Sequence, residues 1–289
     1  MGNKEFDDFN STSLPAVEDN LEEILAQVED KNPPKPMELP LLAASGLHKS
    51  FGGVKAVDGA AIEVGKGSIT GLIGPNGAGK TTLFNLLSNF IRPDKGRVVF
   101  DGEPIHHLQP HQIALQGMVR TFQVARTLSR LSVLENMLLA APKQTGENFW
   151  QMQLQPHIVA QEEKQLKEQA MFFLDSVGLG HKAHEYAGGL SGGQRKLLEM
   201  ARALMTNPKL ILLDEPAAGV NPTLINQICD RIQSWNSEGM TFLIIEHNMD
   251  VIMSLCDRVW VLAEGRNLAA GSPAEIQTNP QVLEAYLGQ

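Results

Sequence analysis

An α/β fold built on a largely parallel sheet is predicted by three observations. Short β-rich runs alternate with helical runs from Leu41 onward, several of the β-rich runs are apolar at every position, and a glycine-rich loop joins one of them to a helix. The strands read from this pattern are Val98-Val99-Phe100, Leu210 to Leu213, Phe242 to Ile245 and Val259 to Leu262. Runs without a polar position fit a sheet covered on both faces, because an exposed face would demand alternation. The interval from about residue 125 to 187 differs, with helical patterns at Val133 to Leu139 and Ile158 to Val177, and reads as an inserted helical subdomain. No repeat recurs along the chain, which sets solenoid and propeller architectures aside.

Composition narrows the function classes. The chain has 289 residues, of which 43% are hydrophobic, enough for a sizeable core. No stretch approaches the roughly 20 consecutive apolar residues needed to cross a bilayer, and the acidic start is unlike a cleaved export signal. We therefore expect a chain that neither spans a membrane nor is exported. The two cysteines, Cys229 and Cys256, lack any metal-ligand spacing and read as small core residues. His106, His107 and His111 cluster without an acidic or cysteine partner set and read as surface turns.

The net charge of −9 is concentrated at the start. Residues 1 to 40 carry ten acids against three lysines, which leaves 21 bases against 23 acids beyond them. A nearly neutral body argues against a nucleic-acid partner, whose phosphates call for a clustered basic surface. Residues 1 to 36 read as an appendage ending in the extended linker Lys31-Asn32-Pro33-Pro34-Lys35-Pro36, and residues 37 to 289 as the main domain. Within the appendage Leu14, Val17, Leu21, Ile24, Leu25 and Val28 recur at helical steps, with Ser13 placed to cap and Pro15 suited to a first turn. A loosely held tail and a helix docked on a partner or on the body both remain open.

The first chemical signal is Gly74-Pro75-Asn76-Gly77-Ala78-Gly79-Lys80-Thr81, placed between the apolar run Ile69 to Ile73 and the helical pattern Thr82 to Asn89. Glycines let the backbone turn its N–H groups inward, and the following helix presents its positive end to a polyanion. Lys80 is positioned to neutralise the β- and γ-phosphates, Thr81 to complete a magnesium shell, and Thr82 to support the same nest. Chance would produce this pattern in on the order of one chain in a hundred. The loop alone implies a nucleoside triphosphate and leaves GTPases, kinases and motor ATPases open.

Two further motifs choose among these. Leu210-Ile211-Leu212-Leu213-Asp214-Glu215 is a buried strand ending in two acids, a costly placement unless they face a cation or a reacting centre. Asp214 is suited to magnesium, directly or through water, and Glu215 to accepting a proton from the attacking water. Leu190-Ser191-Gly192-Gly193-Gln194 repeats the phosphate logic at a second helix start, with the helix expected over Gln194 to Leu204.

With these motifs in this order, residues 41 to 289 resemble the ATP-binding cassette (ABC) ATPases. The resemblance implies the cassette fold: a nucleotide-binding core, an antiparallel β subdomain and the inserted helical subdomain. It also implies that two cassettes pair head to tail, with the Ser191 to Gln194 segment of one closing on ATP held by Lys80 of the other. Phe51 would stack on adenine with Val57 beside the nucleotide, Gln123 would sense magnesium and water, and His247 would hold the γ-phosphate and orient the attack. Asn221 departs from the aspartate common in its loop, which leaves the communication between the two sites through that loop open.

Four segments resemble ATPases of importers for branched-chain and other neutral amino acids. They are Phe51 to Val57, Arg120-Thr121-Phe122-Gln123, Ala217 to Pro222, and the ending Asn279-Pro280 to Tyr286-Leu287-Gly288. Urea importers and lipopolysaccharide exporters share parts of this pattern. The resemblance implies ATP and Mg2+ as ligands, membrane-spanning permease subunits and a second ABC ATPase, itself or a paralogue, as partners. It implies a substrate-binding protein as an indirect partner and a peripheral place on the cytoplasmic face of the inner membrane. A soluble ABC protein clamping nucleic acid or ribosomes, and a dormant interaction subunit, are the rivals. Neither a second cassette nor a long coiled coil supports the former, and Lys80, Asp214, Glu215 and His247 argue against the latter.

Overall fold

The computed structural model describes residues 39–121, 127–142, 144 and 153–287. The appendage helix expected over Leu14 to Val28, the linker after it, and Gln123 lie outside these residues. Leu39–Gln289 form one compact unit. Among the described residues no helix is long and apolar enough to cross a membrane.

Two sheets form the frame. The first is antiparallel, in the order β2-β1-β4-β5, from β1 (Leu42–Phe51), β2 (Val54–Val64), β4 (Lys95–Phe100) and β5 (Glu103–Pro104). The second contains β3 (Ile69–Ile73), β6 (Met118–Arg120), β7 (Leu210–Asp214), β8 (Thr241–Ile245), β9 (Arg258–Ala263) and β10 (Arg266–Gly271), in the order β10-β9-β3-β8-β7-β6. Its β9–β3–β8–β7–β6 portion is parallel, and β10 closes one edge as an antiparallel hairpin partner of β9.

The side-chain alternation of the central strands explains the layers. Ile211, Leu213, Phe242, Ile244, Val259 and Val261 belong to one core cluster, while Leu210, Leu212, Leu243, Ile245 and Leu262 belong to another. Strands β3, β7 and β8 are buried at every position, which is why their sequences show no polar alternation. The first cluster is completed by helices: α3 (Val133–Leu138), α4 (Pro156–Ser176), α5 (Gly192–Leu204), α6 (Pro222–Ser237), α7 (Met249–Leu255), α8 (Pro273–Gln277) and α9 (Pro280–Leu287). The second is completed by the antiparallel sheet and α1 (Lys80–Leu87). The short helix α2 (Pro110–Leu115) contributes Ile113 to it.

Several boundaries differ from the sequence reading for local reasons. Helix α5 starts at Gly192 rather than Gln194, because Ser191 is its N-cap and draws both glycines into the first turn. Helix α1 starts at Lys80 and stops before Asn89, which takes φ +53°. Strand β4 begins at Lys95, its exposed first half lacking the apolar signal of Val98 to Phe100. Val133 and Met137 of α3, Leu174 of α4 and Leu197 of α5 share one cluster, so helical packing continues past residue 187. Cys256 is buried, and burial pushes its thiol up to about 12, consistent with an inert core residue.

Candidate functional site

The parallel register aligns three strand ends. Asp214 of β7 lies beside Ile245 of β8, and Ile245 lies beside Leu72 of β3. The residues that follow, Gly74, Glu215 and Glu246, therefore leave the sheet at the same carboxyl-end edge, where open α/β sheets form their ligand crevices.

At the end of β3 the loop 74–79 leads into α1. Its N-cap, Gly79, has φ +95° and provides no side-chain cap. By contrast α5, α6, α7 and α8 are capped by the side-chain oxygens of Ser191, Asn221, Asn248 and Ser272. The first-turn N–H groups of α1 are therefore left for an external acceptor, the arrangement of an anion site. A Cβ at Gly79 would collide with the carbonyl oxygen of Ala56 on β2. The turn between β9 and β10 braces the loop, with the Gly265 amide donating to Ala78 O (2.9 Å) and the Gly265 carbonyl accepting from Asp58 N (2.8 Å). Ala78 is buried, Gly74 is buried, and Asn76, Gly77 and Thr81 are exposed, with Pro75 and Thr82 between.

Lys80 is 6% exposed and folds back along this loop, donating from Nζ to Gly74 O at 2.7 Å and to Pro75 O at 2.9 Å. Burial holds its ammonium below the usual lysine value, and the Glu215 carboxylate opposes that shift. Lys80 therefore lies within Coulomb range of Glu215 although the two leave different strands.

The acids divide their work. Asp214 is 8% exposed, and its Oδ2 accepts from Arg120 Nη2 at 3.0 Å. Arg120 Nη1 also reaches Asn85 Oδ1 (2.6 Å) and Ser88 Oγ (3.2 Å) on and beside α1. Glu215 takes φ +49°, a left-handed conformation uncommon for a side-chain-bearing residue and costing on the order of 1 kcal/mol. Its Oε1 lies 2.7 Å from His247 Nε2. The neighbouring Glu246 is buried and accepts from the amides of Ala217 (2.6 Å), His247 (3.1 Å) and Asn248 (3.3 Å), fixing the turn after β7 against the turn after β8.

The second helix start is built separately. Ser191 Oγ accepts from the Gln194 amide (3.2 Å), and Gln194 Oε1 accepts from the Ser191 amide (3.0 Å). This is a capping box of α5. Gly193 packs where a Cβ would strike the Leu224 side chain, and a cleft of about 360 Å³ beside it is lined by Ser191, Gln194, Asn221 and Gln227. Gly192 is exposed. Asn221 caps α6 through Oδ1 to the Leu224 amide at 2.9 Å, a task asparagine performs as well as aspartate. The cap of α6 is thus kept with asparagine where the family pattern has aspartate.

Of the remaining sequence-derived residues, Phe51 stands at the end of β1 with 47% of its surface exposed, and the Lys49 ammonium lies 5.7 Å from its ring centroid. Val57 is 1% exposed and packed in the second core cluster. Its side chain therefore packs into the core. Sequence reasoning missed the pairing of Arg120 with Asp214, the amide-gathering role of Glu246, and Lys196, whose ammonium reaches the turn after Glu215. Glu246 did carry a signal, since it follows an apolar strand just as Asp214 ends one.

Comparison with known proteins decides the family. The profile described as "ABC transporter" matches residues 57–218. The chain belongs to the ABC transporter ATP-binding family. The cassette is an ATPase of that family, and its α/β core with a separate antiparallel sheet is the cassette fold. A second profile, "Branched-chain amino acid ATP-binding cassette transporter", matches residues 266–289, which carry β10, α8 and α9. The cassette is 43% identical to the probable branched-chain amino acid transport ATP-binding protein LivG of Archaeoglobus fulgidus, over 86% of this chain and 95% of that one. It is 41% identical to the high-affinity branched-chain amino acid transport ATP-binding protein BraF of Pseudomonas aeruginosa, over 88% of this chain and all of that one. Among solved structures, a nucleotide-free ATP-binding cassette from an ABC transporter superposes with a TM-score of 0.75 at 39% identity, over 87% of this chain and 100% of that one. The ADP conformation of an ATP-binding cassette of an ABC transporter gives 0.74 at 38%, with the same coverage.

Proposed function

We propose that this cassette energises uptake of branched-chain or other neutral amino acids, as the ATP-hydrolysing subunit of an importer held at the cytoplasmic face of the membrane. The observation that carries this reading is the near full-length match to relatives named for branched-chain amino acid transport, joined by the match of the C-terminal segment 266–289. Permease subunits, a second cassette and, indirectly, a substrate-binding protein are the partners this reading requires. The second cassette, a paralogue or a second copy, pairs head to tail.

In this reading the uncapped start of α1 and Lys80 grip the phosphates, and Phe51 offers its exposed ring to adenine. Thr81 and Asp214 are oxygen donors of the kind magnesium takes and, with Gln123 by resemblance, would hold the ion, Asp214 through the carboxylate whose Oδ2 also accepts from Arg120; the ion would supply positive charge against the phosphate oxygens. Glu215 takes the proton of the attacking water, and His247, hydrogen-bonded to Glu215, holds the γ-phosphate and orients the attack. Ser191 to Gln194 close on the nucleotide of the partner cassette.

The test is transport. A strain lacking this chain should lose uptake of labelled leucine or another neutral amino acid, and the wild-type chain should restore it. Lys80→Ala should not restore it, and the purified variant should bind ATP about 10- to 100-fold more weakly in an equilibrium titration, as expected for losing a charge-assisted contact. Undiminished neutral amino-acid uptake in the deletion strain would overturn the substrate assignment.

A further inference from the structure

Lys196 stands on α5, one turn beyond the Ser191 helix start, and none of the motifs above assigns it a task. Its ammonium donates to three backbone carbonyls of a single turn: Glu215 O at 2.7 Å, Pro216 O at 3.3 Å and Ala218 O at 2.7 Å. The same turn is held on its amide side by Glu246, through the Ala217 N–H at 2.6 Å. A cation from one helix and a carboxylate from one strand end thus grip opposite polarities of one short segment. That segment begins with the residue whose backbone is left-handed, Glu215.

A lysine is an unusual choice for a half-buried site. Burial pushes its pKa down, while Glu246, Glu215, Glu199 and Asp214 oppose the shift. Its three donors match three carbonyls on a tight curve, which a monodentate side chain could not serve together. Helix α5 also meets the far end of this loop, where Gly193 packs on Leu224 of α6. The helix start assigned to the partner's nucleotide is therefore fastened to the turn carrying the general base for the chain's own nucleotide.

We propose that Lys196 is a positioning residue that makes these two parts move together, so that closure of the Ser191 end on the partner's ATP sets the Glu215 backbone for hydrolysis in its own site. This rests on the roles given above to Glu215 and Ser191. Removal of Lys196 should leave ATP capture to the α1 cradle and harm turnover, because displacement of a catalytic group by about 1 Å can cost on the order of 100-fold.

The experiment compares Lys196→Met, Lys196→Arg and Glu215→Gln in the full-length chain, measuring steady-state ATP hydrolysis and equilibrium binding of a fluorescent ATP analogue. Lys196→Met should lower kcat by roughly 10- to 100-fold with analogue affinity within about twofold of wild type. Lys196→Arg, which keeps a charged multidonor head, should recover most of the rate. A Lys196→Met rate equal to wild type beside an inactive Glu215→Gln would overturn this proposal alone, as would binding lost in step with kcat or failure of arginine to rescue. Wild-type hydrolysis in Glu215→Gln would instead overturn the assignment of Glu215, and this proposal with it. Should Lys196→Met not be recovered folded, Lys196→Gln carries the same comparison and the same decision.

Discussion

Glu215→Gln should reduce ATP hydrolysis by about 100- to 10,000-fold, the range a positioned general base contributes, while ATP binding persists. The carboxamide matches the carboxylate in shape and its oxygen can still accept from His247 Nε2, now 2.7 Å from Glu215 Oε1. The left-handed backbone at position 215 is equally open to either residue. What disappears is the basicity, so the variant should hold nucleotide without consuming it. Phosphate release measured under saturating ATP, beside an equilibrium titration, separates the two effects. A loss smaller than about tenfold would move the proton-accepting role to another group.

Arg120→Ala should destabilise the fold by about 3–5 kcal/mol, the usual result of removing one partner from a buried ion pair. The Arg120 and Asp214 side chains are 8% and 9% exposed, and the guanidinium also lies 4.8 Å from the Phe84 ring centroid and 5.4 Å from that of Phe90. The substitution strands Asp214 in a dry setting and removes packing from α1 at once. Chemical denaturation should register it as a lower midpoint with an unchanged slope. Arg120→Lys should fall between, since an ammonium cannot span Asp214 Oδ2, Asn85 Oδ1 and Ser88 Oγ with the reach of the guanidinium fork. A midpoint equal to wild type in Arg120→Ala would show that the pair contributes no net stability.

What could be read from residue order follows from where burial is uniform. Strands β7 and β8 announced themselves because all five positions of each are buried, and α3 and α5 through the helical patterns at Val133 to Leu139 and Gln194 to Leu204. Strands β1 and β2 carried no comparable pattern. Their partly exposed faces are interrupted by register shifts between Ala44 and Leu47 and between Lys49 and Ser50, which break the two-residue period. Of the site, the glycine loop, Asp214, Glu215 and Ser191 were legible as motifs, and His247 through the family resemblance. The links among them were not. Arg120 to Asp214 spans 94 positions and Glu246 to Ala217 spans 29, distances at which only the folded register brings partners together.

The resting hydrogen bonds of Lys80 have an implication for ligand choice. The Lys80 ammonium donates to the carbonyls of Gly74 and Pro75, so this loop is braced by a contact from within its own sequence. An ammonium held there is a fixed positive charge beside the helix start, and it favours a guest that carries negative charge. Free adenosine brings the same heterocycle but no charge for that ammonium to meet, so it should bind more weakly than ATP whatever touches the base.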